Sequence, residues 1–329
     1  MKKKCASLIR YTILTVVLVV FTHIGRMPYL IQGLKNIIID DFGDIVLHYN
    51  DSKIKEISTF DTVLVKPDQW YEYKIIAHGG GGINGKLLSN SAESLNLHYN
   101  NGTRLFDVDI SKTTEGVMVL RHSWKDNLEQ TKVPHFKSMY KHYRDINQDS
   151  YTLTEESAQD ITTFKSQKIY GMFTGMTVKE LSLWMNNHPD AYILPDFKGN
   201  LAIMLKEFLA ILEKEGGNEC VKHVVARFSD KEQYDAIAKI VARNRIMWKN
   251  YHTHRDSYRD ILSFCVQKQI CGVLLTMKDV NTEIIQEFTN KGIHVYAGCI
   301  DYLSDFRYFE EKGCWGAVSN FLFENEIIN

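Results

Sequence analysis

Short apolar runs recur along the chain from about residue 74 onward, and amphipathic or polar stretches separate most of them. The runs with the character of strands cover residues 74–78, 104–110, 117–122, 191–197, 223–228, 246–249, 272–277, 293–298 and 316–320. Continuous apolar runs of this length are typical of strands buried on both faces of a parallel sheet. The pattern therefore predicts an α/β chain in which strands and helices alternate.

The segments between these runs carry signatures of helix starts. Thr177-x-x-Glu180 and Ser229-x-x-Glu232 have capping-box spacing, in which two side chains satisfy the free amides of a first helical turn. Helices that alternate with about eight strands imply right-handed crossovers and closure into a TIM (β/α)8 barrel. An open, doubly wound sheet is the alternative.

The first 70 residues do not share this alternation. Three lysines precede the apolar run 11–21, and no small-residue cleavage site follows it. We expect residues 1–26 to be an N-terminal membrane anchor or signal segment, with an uncleaved transmembrane anchor favoured and a surface-lying helix as an alternative. The lysines would hold the N-terminus in the cytoplasm and place the C-terminal domain outside it. Residues 27–70 would then be a juxtamembrane connector and 71–329 the barrel domain.

One long polar segment, at about residues 123–173, interrupts the barrel pattern. It is rich in Lys, Asp, Gln and Ser and is long for a connection between two elements. Because active sites of barrels lie where strands end and helices begin, we expect this excursion to lie over the mouth of the barrel, near the substrate.

The composition limits the range of partners. The chain is 44% hydrophobic and 24% charged, with a net charge of -1, which is typical of a globular protein. Since there is no excess of basic residues, nucleic acid is not an expected partner.

Titratable side chains are concentrated at the ends of the predicted strands. His78 and His122 each follow an apolar run, and Asp107 and Asp109 lie within the run 104–110. Residues two apart on a strand point to the same face, so both aspartates present their carboxylates to one side. Two carboxylates this close repel unless a cation lies between them, and oxygen ligands favour Mg²⁺ or Ca²⁺.

Further polar groups would complete such a site. Asp196 and Lys198 share one face of an apolar strand, which suggests a charged ligand. Two histidines beside a cation supply the base and the acid that phosphodiester cleavage needs. Glu93, at the start of a helix-like stretch, is either an N-terminal helix charge or a partner that orients His78.

The order Ile-Ile-Ala-His78-Gly-Gly, Ser-Ala-Glu93-Ser and Phe-Asp107-Val-Asp109-Ile, followed by His122, resembles the glycerophosphodiester phosphodiesterase family over residues 74–320. The resemblance implies a barrel like that of phosphatidylinositol phospholipase C, a divalent cation, and cleavage of a glycerophosphodiester into glycerol phosphate and an alcohol. It implies that the acid/base pair is His78 and His122, that the metal ligands are Asp107, Asp109 and Asp196, and that Glu93 and Lys198 support the phosphate.

The chain departs from the family pattern at the first phosphate-binding position. Gly79 stands where the family usually has an arginine, and Arg121 or Lys198 is then expected to supply the missing charge. The other departures are Asp107 and Asp196 in place of glutamate, and Ser94-Leu95 in place of Asn-Thr.

The expected substrates are glycerophosphodiesters, either lysophospholipids or deacylated lipid headgroups or glycerol-phosphate polymers of the cell surface. A phospholipase of the phosphatidylinositol-cleaving or sphingomyelinase D-like kind is an alternative, and Trp124 is its candidate for an exposed aromatic side chain at the mouth of the site. Trp124 would equally suit stacking on a sugar or glycerol. A third hypothesis is a catalytically inactive surface-binding module.

Overall fold

The computed structural model describes residues 69–124, 158–250, 258–276 and 282–328. The predicted anchor 1–26 and most of the connector and of the polar excursion lie outside these ranges. Within them, no helix is both long and apolar enough to cross a membrane. Trp70, at the end of the predicted connector, is buried in the interior of the sheet and belongs to the domain that follows.

Parallel strands form one curled sheet in the order β6-β2-β1-β11-β10-β9-β8-β7. An isolated parallel bridge between Ile193 and Val224 links β6 to the residues just before β7. The described strands are β1 (Ile75–Ala77), β2 (Leu105–Lys112), β3 (Met118–Leu120), β4 (Lys168–Ile169), β5 (Phe173–Thr174), β6 (Tyr192–Phe197), β7 (Ala226–Phe228), β8 (Ile246–Asn250), β9 (Gly272–Thr276), β10 (His294–Gly298) and β11 (Gly316–Ser319).

Helices follow most of the parallel strands, as the sequence predicts. They are α1 (Ala92–Asn100), α2 (Ile161–Ser166), α3 (Val178–Asn187), α4 (Leu201–Gly216), α5 (Asn218–Lys222), α6 (Lys231–Ile237), α7 (Tyr258–Lys268), α8 (Thr282–Thr289), α9 (Leu303–Glu311) and α10 (Glu324–Ile328). The capping box of Thr177 and Glu180 is confirmed at the start of α3. The predicted box at Ser229 is wrong, because the neighbouring Asp230 accepts the amide of Gln233 and caps α6 instead.

The run 117–122 does not continue the parallel alternation. Its strand β3 pairs antiparallel with β2, with Ile110 opposite Leu120. The turn between the two strands is too short for the crossover that a parallel pair needs, so a hairpin forms. As a result, the amide of Arg121 donates to the carbonyl of Asp109 at 2.9 Å, and His122 lies beside β2.

Two large apolar clusters form most of the core of the described residues. The larger lies between the sheet and the helices. The smaller fills the inside of the curl with single residues from successive strands: Trp70, Tyr73, Ile76, Leu105, Leu194, Val225, Met247, Leu274, Tyr296 and Val318. Since alternate residues share a face, the residue two positions later on each strand also points inward, toward the carboxyl end. Those positions include His78, Asp107, Asp196, Arg227, Lys249 and Asn320, which form a polar layer next to the apolar one.

Asp190 fastens the amino end of the sheet to α1. Its carboxylate accepts hydrogen bonds from the hydroxyl of Tyr99 and from Nε of Arg104, the latter at 2.9 Å. The Arg104 guanidinium also lies 3.9 Å from the centre of the Tyr99 ring. Burial alone would raise the pKa of Asp190, but the hydrogen bonds from Tyr99 and Arg104 outweigh it and lower the pKa to about 2.

A lowered carboxyl pKa contributes stability above the pKa of the unfolded chain and loses it as the pH falls through the folded pKa. We therefore expect Asp190→Asn to lower the free energy of unfolding at neutral pH by about 1–3 kcal/mol. The variant should also lose less stability than wild type between about pH 4 and pH 2. Urea unfolding across this pH range measures both effects. Asp235→Asn, on the exposed face of α6, is the control. Parallel pH curves for wild type and Asp190→Asn would contradict the expectation.

Candidate active site

His78 lies directly after β1, and its ring is oriented from β11. Nδ1 of His78 is 3.0 Å from Oδ1 of Asn320, and Nδ2 of Asn320 donates to the Asp301 carboxylate at 2.9 Å. Because Asp301 fixes the amide nitrogen of Asn320, the amide oxygen must face His78, so Nδ1 carries the proton and donates it. The neutral ring then presents Nε2 as its proton-accepting nitrogen. The Sγ atom of Cys299 lies 3.4 Å from the same Nδ1.

The glycine run after His78 is required by close packing. Gly79 has a φ of +56°, and a Cβ there would lie 2.6 Å from Cδ2 and 2.8 Å from Cα of Leu88. A side chain there would be strained by the left-handed backbone and would require Leu88 to shift. Gly81 has the same constraint against His98. The turn therefore disfavours the arginine that the family resemblance expects at position 79.

Asp107, in the middle of β2, is bound by a basic side chain from β7. Arg227 donates through two nitrogens to the two carboxylate oxygens, at 2.8 and 2.5 Å, and also to the carbonyl of Leu194 at 3.1 Å. A bidentate pair of this kind is strong and geometrically specific. With the Arg227 side chain only 2% exposed, the pair is sealed inside the curl.

Asp109 and Asp196 share a cation. The register of β2 and β6 places these two aspartates opposite each other. Nζ of Lys198 lies 2.7 Å from Asp109 and 2.8 Å from Asp196, and Lys249 from β8 donates to Asp196 at 2.9 Å. The side-chain nitrogen Nδ2 of Asn90 donates to the other carboxylate oxygen of Asp109 at 2.9 Å. The carboxylates predicted as metal ligands therefore do converge, but on lysine and arginine side chains.

The pKa values follow from these contacts. Burial raises the pKa of Asp109, but Lys198 and His122 outweigh it and lower the pKa to about 2. Lys198, held between two carboxylates, has a raised pKa even though burial opposes it. Burial lowers the pKa of Lys249, because Asp196 offsets only part of that cost and nearby Arg227 adds repulsion. Lys198 is thus the most firmly protonated of the lysines in the cluster.

A divalent cation does not fit this donor set. Each carboxylate already faces an ammonium or guanidinium group, and no cluster of three or more His, Cys, Asp or Glu suited to a metal occurs in the described ranges. An ion of charge +2 about 4 Å from an ammonium would be repelled by about 8 kcal/mol at an effective dielectric constant of about 20. Ca²⁺ or Mg²⁺ would therefore have to displace the basic side chains.

His122 and Arg121 follow the hairpin strand β3. His122 is close enough to Asp109 to contribute to the lowered pKa of that carboxyl, so the second histidine lies beside the cluster. Arg121 donates from Nε to the carbonyl of Ser123 at 3.0 Å, and its guanidinium lies 4.8 Å from the centre of the Trp124 ring. These contacts direct Arg121 toward the start of the excursion.

Trp124 and Glu93 have different surroundings from those predicted. Trp124 is buried against Val119 and Phe164, so it is not an exposed aromatic at the mouth of the site. Glu93 accepts the amide of Thr174 at 2.9 Å and its hydroxyl at 2.8 Å, which fastens α1 to β5. The orienting partner of His78 is Asn320.

Two functional candidates, Arg227 and Lys249, were missed by the sequence reasoning. Each is a single charge within an apolar strand, in Val-Val-Ala-Arg227-Phe and Ile-Met-Trp-Lys249. The same signal identified Asp196 and Lys198, and it could have found these residues too.

A cavity of about 320 Å³ lies at the other end of the sheet. Its lining includes Lys74, His294 and Trp315, at the amino ends of β1, β10 and β11. None of the residues discussed above reaches it. Active sites of curled parallel sheets lie at the carboxyl ends of the strands, so this cavity is not the candidate site.

The sealed pair of Asp107 and Arg227 can be tested through stability. Asp107→Asn leaves a buried guanidinium without its counter-charge, and we expect a loss of about 3–5 kcal/mol in the free energy of unfolding. Urea denaturation measures it. Glu207→Gln, which removes the exposed partner of Lys112, should cost at most about 1 kcal/mol.

The double variant Asp107→Leu/Arg227→Met removes both charges and should recover most of the loss. If Asp107→Asn were as mild as Glu207→Gln, the pair would not be the buried interaction described.

The chain matches known proteins by its structure but not by its sequence. No family model and no curated protein matches the sequence. A phosphodiesterase of Oleispira antarctica, solved with the product sn-glycerol-3-phosphate, is 13% identical with a TM-score of 0.54 over 78% of this chain and 95% of its own. The glycerophosphodiester phosphodiesterase of Thermotoga maritima is 13% identical with a TM-score of 0.53 over 78% and 97%.

A second glycerophosphodiester phosphodiesterase, from Parabacteroides distasonis, is 11% identical with a TM-score of 0.54 over 78% of this chain and 95% of its own. Each match covers nearly the whole of the solved structure. The α/β chain with its curled parallel sheet therefore has the fold of the glycerophosphodiester phosphodiesterases.

Proposed function

We propose that this chain is a phosphoric diester hydrolase that splits glycerophosphodiesters into glycerol phosphate and an alcohol, on a closed TIM (β/α)8 barrel. The observation that carries the proposal is His78, whose Nδ1 donates to Asn320 and whose Nε2 is thereby the proton acceptor, at the carboxyl end of β1. His122 lies at the same end of the sheet, close to Asp109. A base and a possible acid beside a charged cluster are the groups that phosphodiester cleavage requires.

In the proposed reaction, Nε2 of His78 takes the proton of the attacking hydroxyl as its oxygen bonds to phosphorus. His122 gives a proton to the leaving alcohol oxygen as the phosphorus–oxygen bond breaks. The family resemblance implies that the neighbouring glycerol hydroxyl attacks, which yields a cyclic phosphate that water then opens. Asn320 and Asp301 hold the His78 ring in the required tautomer throughout.

One structural neighbour supports the proposed substrate class. The Oleispira enzyme holds sn-glycerol-3-phosphate, which supports a glycerol phosphate product here. Deacylated lipid headgroups and glycerol-phosphate polymers both contain this unit. The burial of Trp124 removes the feature that favoured a lipid-inserting phospholipase. Residues 1–26 are proposed to hold the domain at a membrane, on the extracytoplasmic side, and this rests on their sequence alone.

Replacement of either histidine tests the reaction. We expect His78→Ala and His122→Ala each to lower kcat by about 10²–10⁴-fold, the usual contribution of a positioned acid or base. Release of sn-glycerol 3-phosphate from glycerophosphocholine and glycerophosphoethanolamine is the measurement. His223→Ala is the control, since this imidazole lies at the amino end of the sheet and bonds the carbonyl of Glu219.

The assays are run with Ca²⁺, Mg²⁺, Mn²⁺ or Zn²⁺ and with chelator. If wild type turned over no glycerophosphodiester in any of them, the proposed function would be refuted. Turnover that survives both histidine substitutions would refute the assigned acid and base.

A further inference from the structure

The charges at the carboxyl ends of β2, β6, β7 and β8 balance within the chain. The acidic members are Asp107, Asp109 and Asp196, and the basic members are Lys198, Arg227 and Lys249, all joined by the contacts described above. Carboxylates brought together need a cation between them. Here the chain supplies those cations through its own side chains.

The basic side chains differ in their access to solvent. Arg227 is 2% exposed and is committed to Asp107, whereas Lys198 and Lys249 are 16% and 17% exposed. Between these two ammonium groups lies Asp196, whose side chain is 29% exposed. The lysine pair therefore borders the open side of the cluster, where a ligand can approach, and Arg227 forms its floor.

We propose that Lys198 and Lys249 together take the role that a divalent cation would have, binding the non-bridging oxygens of the phosphodiester, so that cleavage needs no metal. This inference rests on the proposed function, since it assigns the electrostatic part of the same reaction. The evidence is the mismatch between the donor set and a metal, together with two partly exposed ammonium groups at an acidic cluster to which His122 is also close.

The chemistry of the ammonium group suits this role. An ammonium is a compact charge with three donors and binds phosphate oxygens as a point charge. Lys198 directs two of its donors at Asp109 and Asp196, which leaves a third for a ligand. Neither lysine forms or breaks a covalent bond. One proton passes from the attacking hydroxyl to His78 and a second passes from His122 to the leaving oxygen, while the lysines offset charge on the phosphate.

The backbone at Gly79 independently supports a phosphate-binding role for Lys198 and Lys249. The chain has glycine there, and an arginine would be strained by the left-handed turn and would require Leu88 to shift. The phosphate must then obtain its positive charge from elsewhere on the rim. Lys249, on the far side of Asp196 from Lys198, supplies a charge that the family resemblance does not include.

The direct test compares glycerophosphocholine hydrolysis by the full-length protein in excess EDTA with hydrolysis after addition of Ca²⁺, Mg²⁺, Mn²⁺ or Zn²⁺. We expect turnover to persist in EDTA and to change by no more than about twofold with any ion, in contrast to the large effect of a catalytic metal. Turnover that disappears in EDTA and returns with an ion would overturn the proposal. So would stoichiometric retention of Ca²⁺ or Mg²⁺ in equilibrium dialysis.

A matched pair of variants locates the charge. Lys249→Met should lower kcat/KM by about 100-fold, because a preorganised charge at the phosphate is lost. Lys214→Met makes the same chemical change on the exposed face of α4 and should leave kcat/KM as in wild type. Equal activity of Lys249→Met and Lys214→Met would overturn the role of Lys249.

Binding separates this proposal from the reaction itself. Calorimetric titration with sn-glycerol 3-phosphate in EDTA should show binding that Lys249→Met weakens by about tenfold or more and Lys214→Met does not. Circular dichroism establishes that each variant is folded before titration. If no condition gave turnover but Lys249→Met still weakened binding, the proposed function would be refuted and the phosphate site at the two lysines would be supported. Binding that occurs only with a divalent ion would refute the lysine site.

Discussion

Mutual neutralisation of buried acids and bases is the constraint on which the carboxyl end of the sheet depends. Asp107 and Asp109 are buried on β2, and an uncompensated charge at such a position would cost several kcal/mol. Their partners arrive from β6 and β7, so the correct arrangement of charges exists only when these strands are aligned. The smaller apolar cluster packs inside the curl below these charges, and the ion pairs specify how the strands meet above it.

Much of this arrangement follows from local sequence. Apolar runs locate the parallel strands, and the period of two along β2 and β6 places Asp107, Asp109 and Asp196 on the inner face. The partners of these carboxylates do not follow from it. Arg227 and Lys249 lie far along the chain, and only the order of strands around the sheet brings them to Asp107 and Asp196. Local patterns also do not reveal that β3 turns back on β2, since a hairpin strand and a parallel strand can share one composition.

Competition between neighbouring polar groups explains why the contacts of Glu93 and His78 differ from those predicted from the sequence. Glu93 has the position of a site residue in the sequence, but Thr174 offers it an amide and a hydroxyl from β5, and the carboxylate is satisfied there. The orientation of His78 comes instead from Asn320, which is adjacent only because β1 pairs with β11. In both cases a contact between segments that are distant in the sequence decides which of several polar groups becomes the partner.

The close approach of Leu88 to the backbone of Gly79 links the geometry of this turn to the position of the histidine that begins it. A side chain introduced at position 79 would be strained by the left-handed backbone and would require Leu88 to shift. His78 and Gly79 belong to the same short turn, His78–Gly80. A shift that made room for a side chain at position 79 would therefore also displace the His78 ring from Asn320.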